Sequence, residues 1–434
     1  MGQIVAALVL FLVVLLGAGV WIGLGLIGAG IGTLSVFMPQ MPAAKLLAQQ
    51  LWNSATSLEL LALPLFILMA EILFRTRLAE SLFNGLAPWT RRLPGRMSHI
   101  TVLASTLFAA VSGSSAATTA TVGRITAGEL LQRGYDRQMV IGSLAGAGTL
   151  GFLIPPSVIM IIYGVLAEES ILKLFIAGVI PGGLLAGAYM VYLGARSVMN
   201  PALVGEALPP TSWSEKVHAA LGLLPVLCLI FAVIGSMYGG IASPTEAAAV
   251  GVAGAIAIGA LQRSLTPRGL VEATLLAAQT CAMIGLIIMG AMFLSVGLGY
   301  LGVPRFVAGQ IEALNLSPFA LIVVLLIFYV LLGCLMEGMS CIVMTLPITL
   351  PLILAAGYDK VWFGVFLVLV VEMAQITPPV GFNLIVIQRL TGDRMGAVAR
   401  AALPFFAIMV AMALLLAVVP QIATWLPETM SNRN

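Results

Sequence analysis

Two stretches decide how this chain folds: Ile154-Pro155-Pro156-Ser157 and Thr377-Pro378-Pro379-Val380-Gly381. Each interrupts an apolar run, 139–166 and 361–388, long enough for a bilayer core that takes about 20 residues per helix. Two adjacent prolines remove two backbone donors and clash with the preceding turn, so the helix breaks. Carbonyls beside the break then lose their helical partners. At membrane depth such backbone survives only where it is buried in protein or lines a cavity. A lone proline in a membrane helix mostly kinks it. Two Pro-Pro pairs in corresponding places point instead to a transport site. The freed carbonyls and nearby hydroxyls are hard oxygen ligands for a small cation, and inward helix ends offer N–H groups to a carboxylate.

The rest of the chain supports a membrane setting. Of its 434 residues, 61% are hydrophobic and 9% charged, against about 25% charged in an average soluble domain. A water-soluble globule of this composition could not cover its surface with polar groups. Disorder, nucleic-acid binding and a disulfide-stapled secreted scaffold are excluded with it. Cys228, Cys281, Cys334 and Cys341 lie in apolar stretches without metal-ligand spacing and read as packing residues. The N-terminal run has neither a basic region before it nor a small-residue cleavage site, so it reads as a retained first helix.

Apolar runs fall at 3–37, 57–74, 98–123, 139–166, 171–199, 218–238, 245–262, 271–299, 318–355, 361–388 and 401–426. The first is long enough to tilt or to break at its glycines. The polar interruptions are 38–56, 75–97 and 200–217; the middle one mixes Leu, Phe and Trp with arginines, as an interfacial amphipathic helix does. Arginines orient the rest, since cytoplasmic loops are rich in Lys and Arg. Arg75, Arg77, Arg91, Arg92 and Arg96 precede the run 98–123, and Arg124, Arg133 and Arg137 follow it. A segment with both flanks on one face does not span, so it reads as a re-entrant hairpin turning at Ser112-Gly113-Ser114-Ser115. The run 318–355 is too long for one simple span and its flanks carry few basic residues. It reads as a second hairpin, centred near Gly333–Ser340 and entering from the opposite, periplasmic face. This scheme places the N-terminus in the cytoplasm and the C-terminus in the periplasm. It leaves only Lys45, Lys173, Arg305, Lys360 and Arg433 of the 20 Lys and Arg off the cytoplasmic side.

The expected architecture is an all-α polytopic membrane protein with inverted-topology repeats, each holding a hairpin and a broken helix, the plan of many secondary transporters. Residues 1–97 read as N-terminal scaffold helices and the interfacial helix, and 98–199 as the first repeat's transport elements with the helix that follows. Residues 200–299 read as connecting and scaffold helices, 300–400 as the second repeat's transport elements, and 401–434 as the C-terminal helix and tail.

Several motifs then resemble one family. Gly148-Thr149-Leu150-Gly151-Phe152-Leu153-Ile154-Pro155-Pro156-Ser157 is followed by Tyr163-Gly164 and Ala177-Gly178-Val179-Ile180-Pro181-Gly182. Three more stretches fit: Ser112-Gly113-Ser114-Ser115-Ala116-Ala117-Thr118, Gly240-Ile241-Ala242-Ser243-Pro244-Thr245-Glu246-Ala247-Ala248, and Ile376-Thr377-Pro378-Pro379-Val380-Gly381-Phe382-Asn383. In this order and spacing the chain resembles, over nearly its whole length, the large membrane subunit (DctM type) of tripartite ATP-independent periplasmic (TRAP) transporters. The resemblance implies import of small organic acids, of the C4-dicarboxylate, sialic acid or sugar-acid class, across the bacterial inner membrane on a sodium gradient. It also implies a periplasmic substrate-binding protein (DctP type), a small four-helix membrane subunit (DctQ type) on a separate polypeptide, and an elevator motion of the transport elements against a scaffold. Carried over by motif, one sodium site would use Ser112 and Ser115 with backbone oxygens near Gly151, Ile154 and Pro156. The other would use Gly333 or Gly338 with Ala374, Thr377 and Val380. Ala374 stands where the family leads one to expect glycine; a carbonyl ligand survives that change, though the methyl would tighten the site.

Ser114, Thr118, Thr119, Thr345, Gln375 and Asn383 are candidates for the substrate, weighed against helix–helix packing. Pro155, Pro378 and Pro379 are structural. Glu246 follows Pro244-Thr245 at a helix start, where a carboxylate suits the helix dipole. Intramembrane Glu71, Glu337 and Glu372 invite a functional reading; for the last two it is tuning of cation affinity or a helix-stabilising hydrogen bond. No buried arginine stands out as a carboxylate clamp. His99 and His218 lie near membrane ends, too far from Ser112–Ser115 to serve as the general base of a serine hydrolase, and no P-loop or Asp-rich metal motif is present. The chain therefore reads as no enzyme and as needing no organic cofactor. The rivals are a stand-alone ion-coupled anion transporter without a binding protein, and a channel, which the paired hairpins disfavour.

Overall fold

A computed structural model describes residues 1–205, 211–312, 316–334 and 336–431. Leu335 of the second hairpin tip, Arg433, and parts of the stretches 200–217 and 300–317 lie outside the described residues. Among the described residues, all regular structure is helical. Five of the described helices are long and apolar enough to cross a membrane, or up to eight if each of three bent pairs counts as one span.

The first repeat opens with arms Ser98–Ser112 and Ser115–Gln132, joined by Gly113 at φ 59°. Only glycine adopts that left-handed turn freely, and Ser114 caps the second arm by accepting from the Ala117 N–H. The ends of the hairpin meet: the Met97 N–H donates to Tyr135 Oη at 3.0 Å. Arg96 Nη1 reaches the Gly205 carbonyl, beside which the Arg133 carbonyl also packs. The segment thus leaves and returns at one end, as its arginine flanks require. The second arm, however, runs on to Gln132, beyond the boundary expected at 123. Arg124 sits on an exposed face of a continuing helix, and a charge there does not end it.

The broken helix follows as Arg137–Gly148, Leu150–Leu153 and Val158–Ala167, bent by 40° at the Pro-Pro break. In the second repeat the arms are Pro318–Gly333 and Gly338–Ala355, and the broken helix is Lys360–Gln375 then Phe382–Thr391. Both Pro-Pro bonds are cis.

Polar contacts at both ends establish the inversion. Arg137, at the start of the first broken helix, pairs with Asp393, just past the end of the second, at 2.9 and 3.1 Å. This hydrogen-bonded pairing holds the Asp393 carboxyl below its ordinary range. At the other end Tyr163 Oη donates to the Lys360 carbonyl at 2.7 Å, and Lys360 Nζ to the Ala167 carbonyl at 3.0 Å. The two broken helices therefore run antiparallel. The second hairpin joins its broken helix at the Lys360 end, opposite the end where the first hairpin opens. Cysteines replacing Arg92 and Gln132, in a background freed of the four native cysteines, should accordingly be labelled from one membrane face only, and Ala355→Cys from the other. Labelling of the first two from different faces would refute the first hairpin.

Other apolar runs resolve as follows, the first by the glycine break that its length allowed. The run 3–37 is two helices, Gly2–Gly17 and Ile22–Phe37, parted near Gly19 at φ 78°. Ile22–Phe37 lies so close to Pro267–Tyr300 that a Cβ on Gly290 would come within 2.5 Å of the Gly23 carbonyl. The run 401–426 splits into Met395–Val418 and Gln421–Ser431. The run 218–238 begins earlier, in Trp213–Leu221, bent 53° from the helix that continues it. The polar stretch 75–97, expected to hold an interfacial helix, holds the helix Leu78–Thr90, with Leu78, Leu82 and Phe83 buried.

Candidate functional site

Each hairpin tip touches a break. In the first repeat the Val158 N–H, just past the prolines, donates to the Gly113 carbonyl at 3.3 Å. A Cβ on Gly113 would sit 2.8 Å from the Pro156 carbonyl oxygen, and one on Gly151 would sit 2.5 Å from Ser115 Cα. Backbone meets backbone here, and glycine at both positions is what permits it. In the second repeat a Cβ on Gly333 would fall 2.4 Å from the Ala374 methyl. That methyl fills the space the missing side chain leaves. A Cβ on Gly338 would fall 2.8 Å from Gln375 Nε2 and 3.6 Å from Ile159 of the first repeat. The second tip thus also reaches the first broken helix.

The hydroxyls gather at the first tip. Ser112 Oγ and Thr118 Oγ1 are 2.8 Å apart. Ser115 Oγ donates toward the Gly148 carbonyl at 3.0 Å and Glu372 Oε2 at 2.7 Å, and accepts from Asn383 Nδ2 at 2.7 Å. Ser112, Ser115, Thr118, Thr119, Glu372 and Asn383 are all buried. Thr119 Oγ1 and Asn383 Oδ1 are buried without a hydrogen-bond partner, an arrangement that costs about 1–3 kcal/mol per group unless a ligand or water meets it. Gly148 gives them room: a Cβ there would lie 2.0 Å from Thr119 Oγ1 and 3.6 Å from Asn383 Nδ2.

Thr345 lies elsewhere. Its hydroxyl donates to the Cys341 carbonyl at 2.7 Å and meets Tyr329 Oη of the facing arm at 2.8 Å, which binds the second hairpin together. Thr377 Oγ1 donates back to the Met373 carbonyl at 2.6 Å. The two breaks differ in cover: Pro155, Pro156 and Ser157 are buried, whereas Pro378, Pro379 and Val380 are exposed. Glu337 caps the second arm of its hairpin, accepting from Met339 N–H at 3.1 Å and Ser340 N–H at 3.3 Å. Glu246 forms a capping box with Ser243. Glu372, read from sequence as tuning cation affinity or as a helix-stabilising acceptor, lies in the second broken helix and bonds to the first repeat. Its only sequence signal was a carboxylate inside an apolar run. No group of three or more His, Cys, Asp or Glu that could hold a metal occurs among the described residues; the oxygens gathered here are carbonyl, hydroxyl and amide oxygens beside the one carboxylate of Glu372, all hard donors.

Comparison with known proteins agrees with this architecture. Residues 8–422 match the family model described as tripartite ATP-independent periplasmic transporter, DctM component. The chain is 34% identical over 404 residues to the C4-dicarboxylate TRAP transporter large permease protein DctM of Pseudomonas aeruginosa, covering 92% of each. It is 30% identical over 426 residues to the ectoine/5-hydroxyectoine large permease UehC of Ruegeria pomeroyi, covering 98% of each. Among solved structures, the YdaH transporter of Alcanivorax borkumensis shares the fold, with TM-score 0.61 at 14% identity over 86% of each chain. The chain is a multi-pass membrane protein and belongs to the DctM family, the large permease subunits of TRAP transporters.

Proposed function

We propose that this permease imports small organic acids across the bacterial inner membrane, driven by sodium, by moving its hairpins and broken helices as one body against the remaining scaffold. The observation that carries the reading is the convergence of both hairpin tips on both breaks, around buried oxygens. The first sodium site would be built from Ser112 and Ser115 with carbonyls of Gly151, Ile154 and Pro156. A half-turn of the Asn383 amide would replace its N–H at Ser115 with the unpartnered Oδ1 and so make that shell fit for a cation. The second site would use Gly333 or Gly338, Ala374, Thr377 and Val380. Ser114, Thr118, Thr119, Gln375 and Asn383 stand where a carboxylate would meet hydroxyls, amides and helix ends; Thr345 contributes only if the second hairpin opens. The N-terminus would face the cytoplasm and the C-terminus the periplasm. Family relatives named for C4-dicarboxylate and for ectoine fit a division of labour in which a periplasmic binding protein selects the substrate and a small membrane subunit completes the complex.

Reconstituted into liposomes, the chain should take up substrate only with the small subunit, the binding protein and a sodium gradient together. Uptake by the chain alone would replace this reading with a stand-alone anion transporter.

A further inference from the structure

Glu372 is fully buried and lies in Lys360–Gln375, three helical turns from any charged residue of its own helix. None of the ion pairs among the described residues includes it. Its two oxygens instead cross to the other repeat. Oε2 takes Ser115 Oγ at 2.7 Å and Oε1 takes the Phe152 N–H at 3.0 Å. Phe152 is the fourth residue after Gly148, so an unbroken helix would pair its N–H with the Gly148 carbonyl. Here the helix is interrupted at Thr149, and the Gly148 carbonyl accepts from Ser115 Oγ at 3.0 Å. Glu372 and Ser115 have in effect been inserted into the backbone ladder of the first broken helix, one from each repeat. Asn383, also of the second repeat, adds a third bond to the same hydroxyl.

We propose that Glu372 is a positioning residue that fastens the second broken helix to the first hairpin tip and so couples the two candidate cation sites. The proposal rests on the sodium-driven reading above and deepens it. An ion that reshapes the bonds of Ser115 pulls on Glu372, which lies two residues before Ala374 of the other candidate site. Conversely, a shift of Lys360–Gln375 on loading the second site is passed to Ser115 and to the Gly148 carbonyl. Because linkage is reciprocal, the two ions should then bind cooperatively.

The test is sodium activation of uptake by the reconstituted three-component complex, with amide exchange as an ion-free measure. Wild type should respond sigmoidally. Glu372→Ala should lose the sigmoidal shape and raise half-saturating sodium by about tenfold, within the usual range for coupling between sites. Glu372→Gln keeps an oxygen for the Phe152 N–H, and its amide N–H can donate to Ser115 as that hydroxyl turns to Gly148; it should restore most of the loss. In detergent without transport, exchange of the Phe152 amide should be faster in Glu372→Ala and near wild type in Glu372→Gln. Should the alanine variant not reach the membrane, Glu372→Asp, too short to span both partners, takes its place with the same expectation. The proposal is overturned if the alanine or aspartate variant keeps wild-type activation and exchange, or if Glu372→Gln fails as fully as Glu372→Ala, which would make the carboxylate itself the ligand. A wild-type complex without sodium activation would sink the sodium reading alone, and Phe152 exchange would still judge the clamp.

Discussion

Ser115→Ala is expected to raise half-saturating sodium about 10–100-fold while the protein still reaches the membrane. The hydroxyl meets three partners: the Gly148 carbonyl, Glu372 and Asn383. Removing it leaves a helix carbonyl and a side-chain amide buried without partners, each at roughly 1–3 kcal/mol, and about 1.4 kcal/mol is a factor of ten in affinity. A methyl in its place also deletes one candidate cation ligand at the first break. Thr377→Ala is the useful contrast. Thr377 is only half-buried, and its hydroxyl donates within its own helix to the Met373 carbonyl, so its loss strands no donor from another element. Its half-saturation should shift by only about threefold, about 0.7 kcal/mol, as befits a bond with a partly exposed partner. Uptake measured against external sodium in liposomes decides it. Wild-type activation in both variants would remove both hydroxyls from the ligand sets.

Much of the fold was legible in charge and proline alone. Arginines on both sides of 98–123 forced a hairpin, and the meeting of Met97 with Tyr135 is that inference in atoms. The Pro-Pro pairs placed both breaks to the residue, because a missing donor is a local property of the chain. Boundaries set by charge were less secure. Arg124 stood on an exposed helical face and did not stop the arm, since lipid headgroups and water accept a guanidinium along the side of a helix. The contact of Glu372 and Asn383 with Ser115 was not legible for a different reason. Motifs are read along the chain and invite pairing of each hairpin with the broken helix that follows it. Only the antiparallel packing of the two broken helices, fixed at its ends by Arg137–Asp393 and by Lys360 with Ala167, brings Glu372 and Asn383 to Ser115. That contact lies between residues far apart in sequence and has no periodic signature. Thr345 is a nearer case: its hydroxyl, a substrate candidate from the sequence, meets Tyr329 across the turn of its own hairpin.

Gly151→Ala should cut uptake by at least about tenfold. The added Cβ would stand 2.5 Å from Ser115 Cα and 2.7 Å from both the Ser114 carbonyl oxygen and the Ser115 N. All three are backbone atoms of the hairpin tip, which cannot swing aside as a side chain does. The tip must back away from the break, and overpacking of this kind costs about 1–3 kcal/mol. Retreat also pulls Ser115 from the Gly148 carbonyl and weakens the Val158-to-Gly113 bond that seats the tip. Two comparisons separate this from a general dislike of alanine. Gly183→Ala, in Ile171–Met199, meets nothing within 4 Å and should leave uptake intact, since a helical glycine replaced by alanine gains roughly 0.5–1 kcal/mol in helix stability. Gly338→Ala meets only side-chain atoms, Val371 Cγ1 at 2.6 Å and Gln375 Nε2 at 2.8 Å; the Gln375 end can turn but the β-branched Val371 is stiff, so its penalty should fall between the two. An uptake order in which Gly151→Ala matches Gly183→Ala would mean that the first tip does not rest on its break in the working protein. The expected order instead places the tighter seat at the first tip, where both surfaces are backbone and the break beneath is buried.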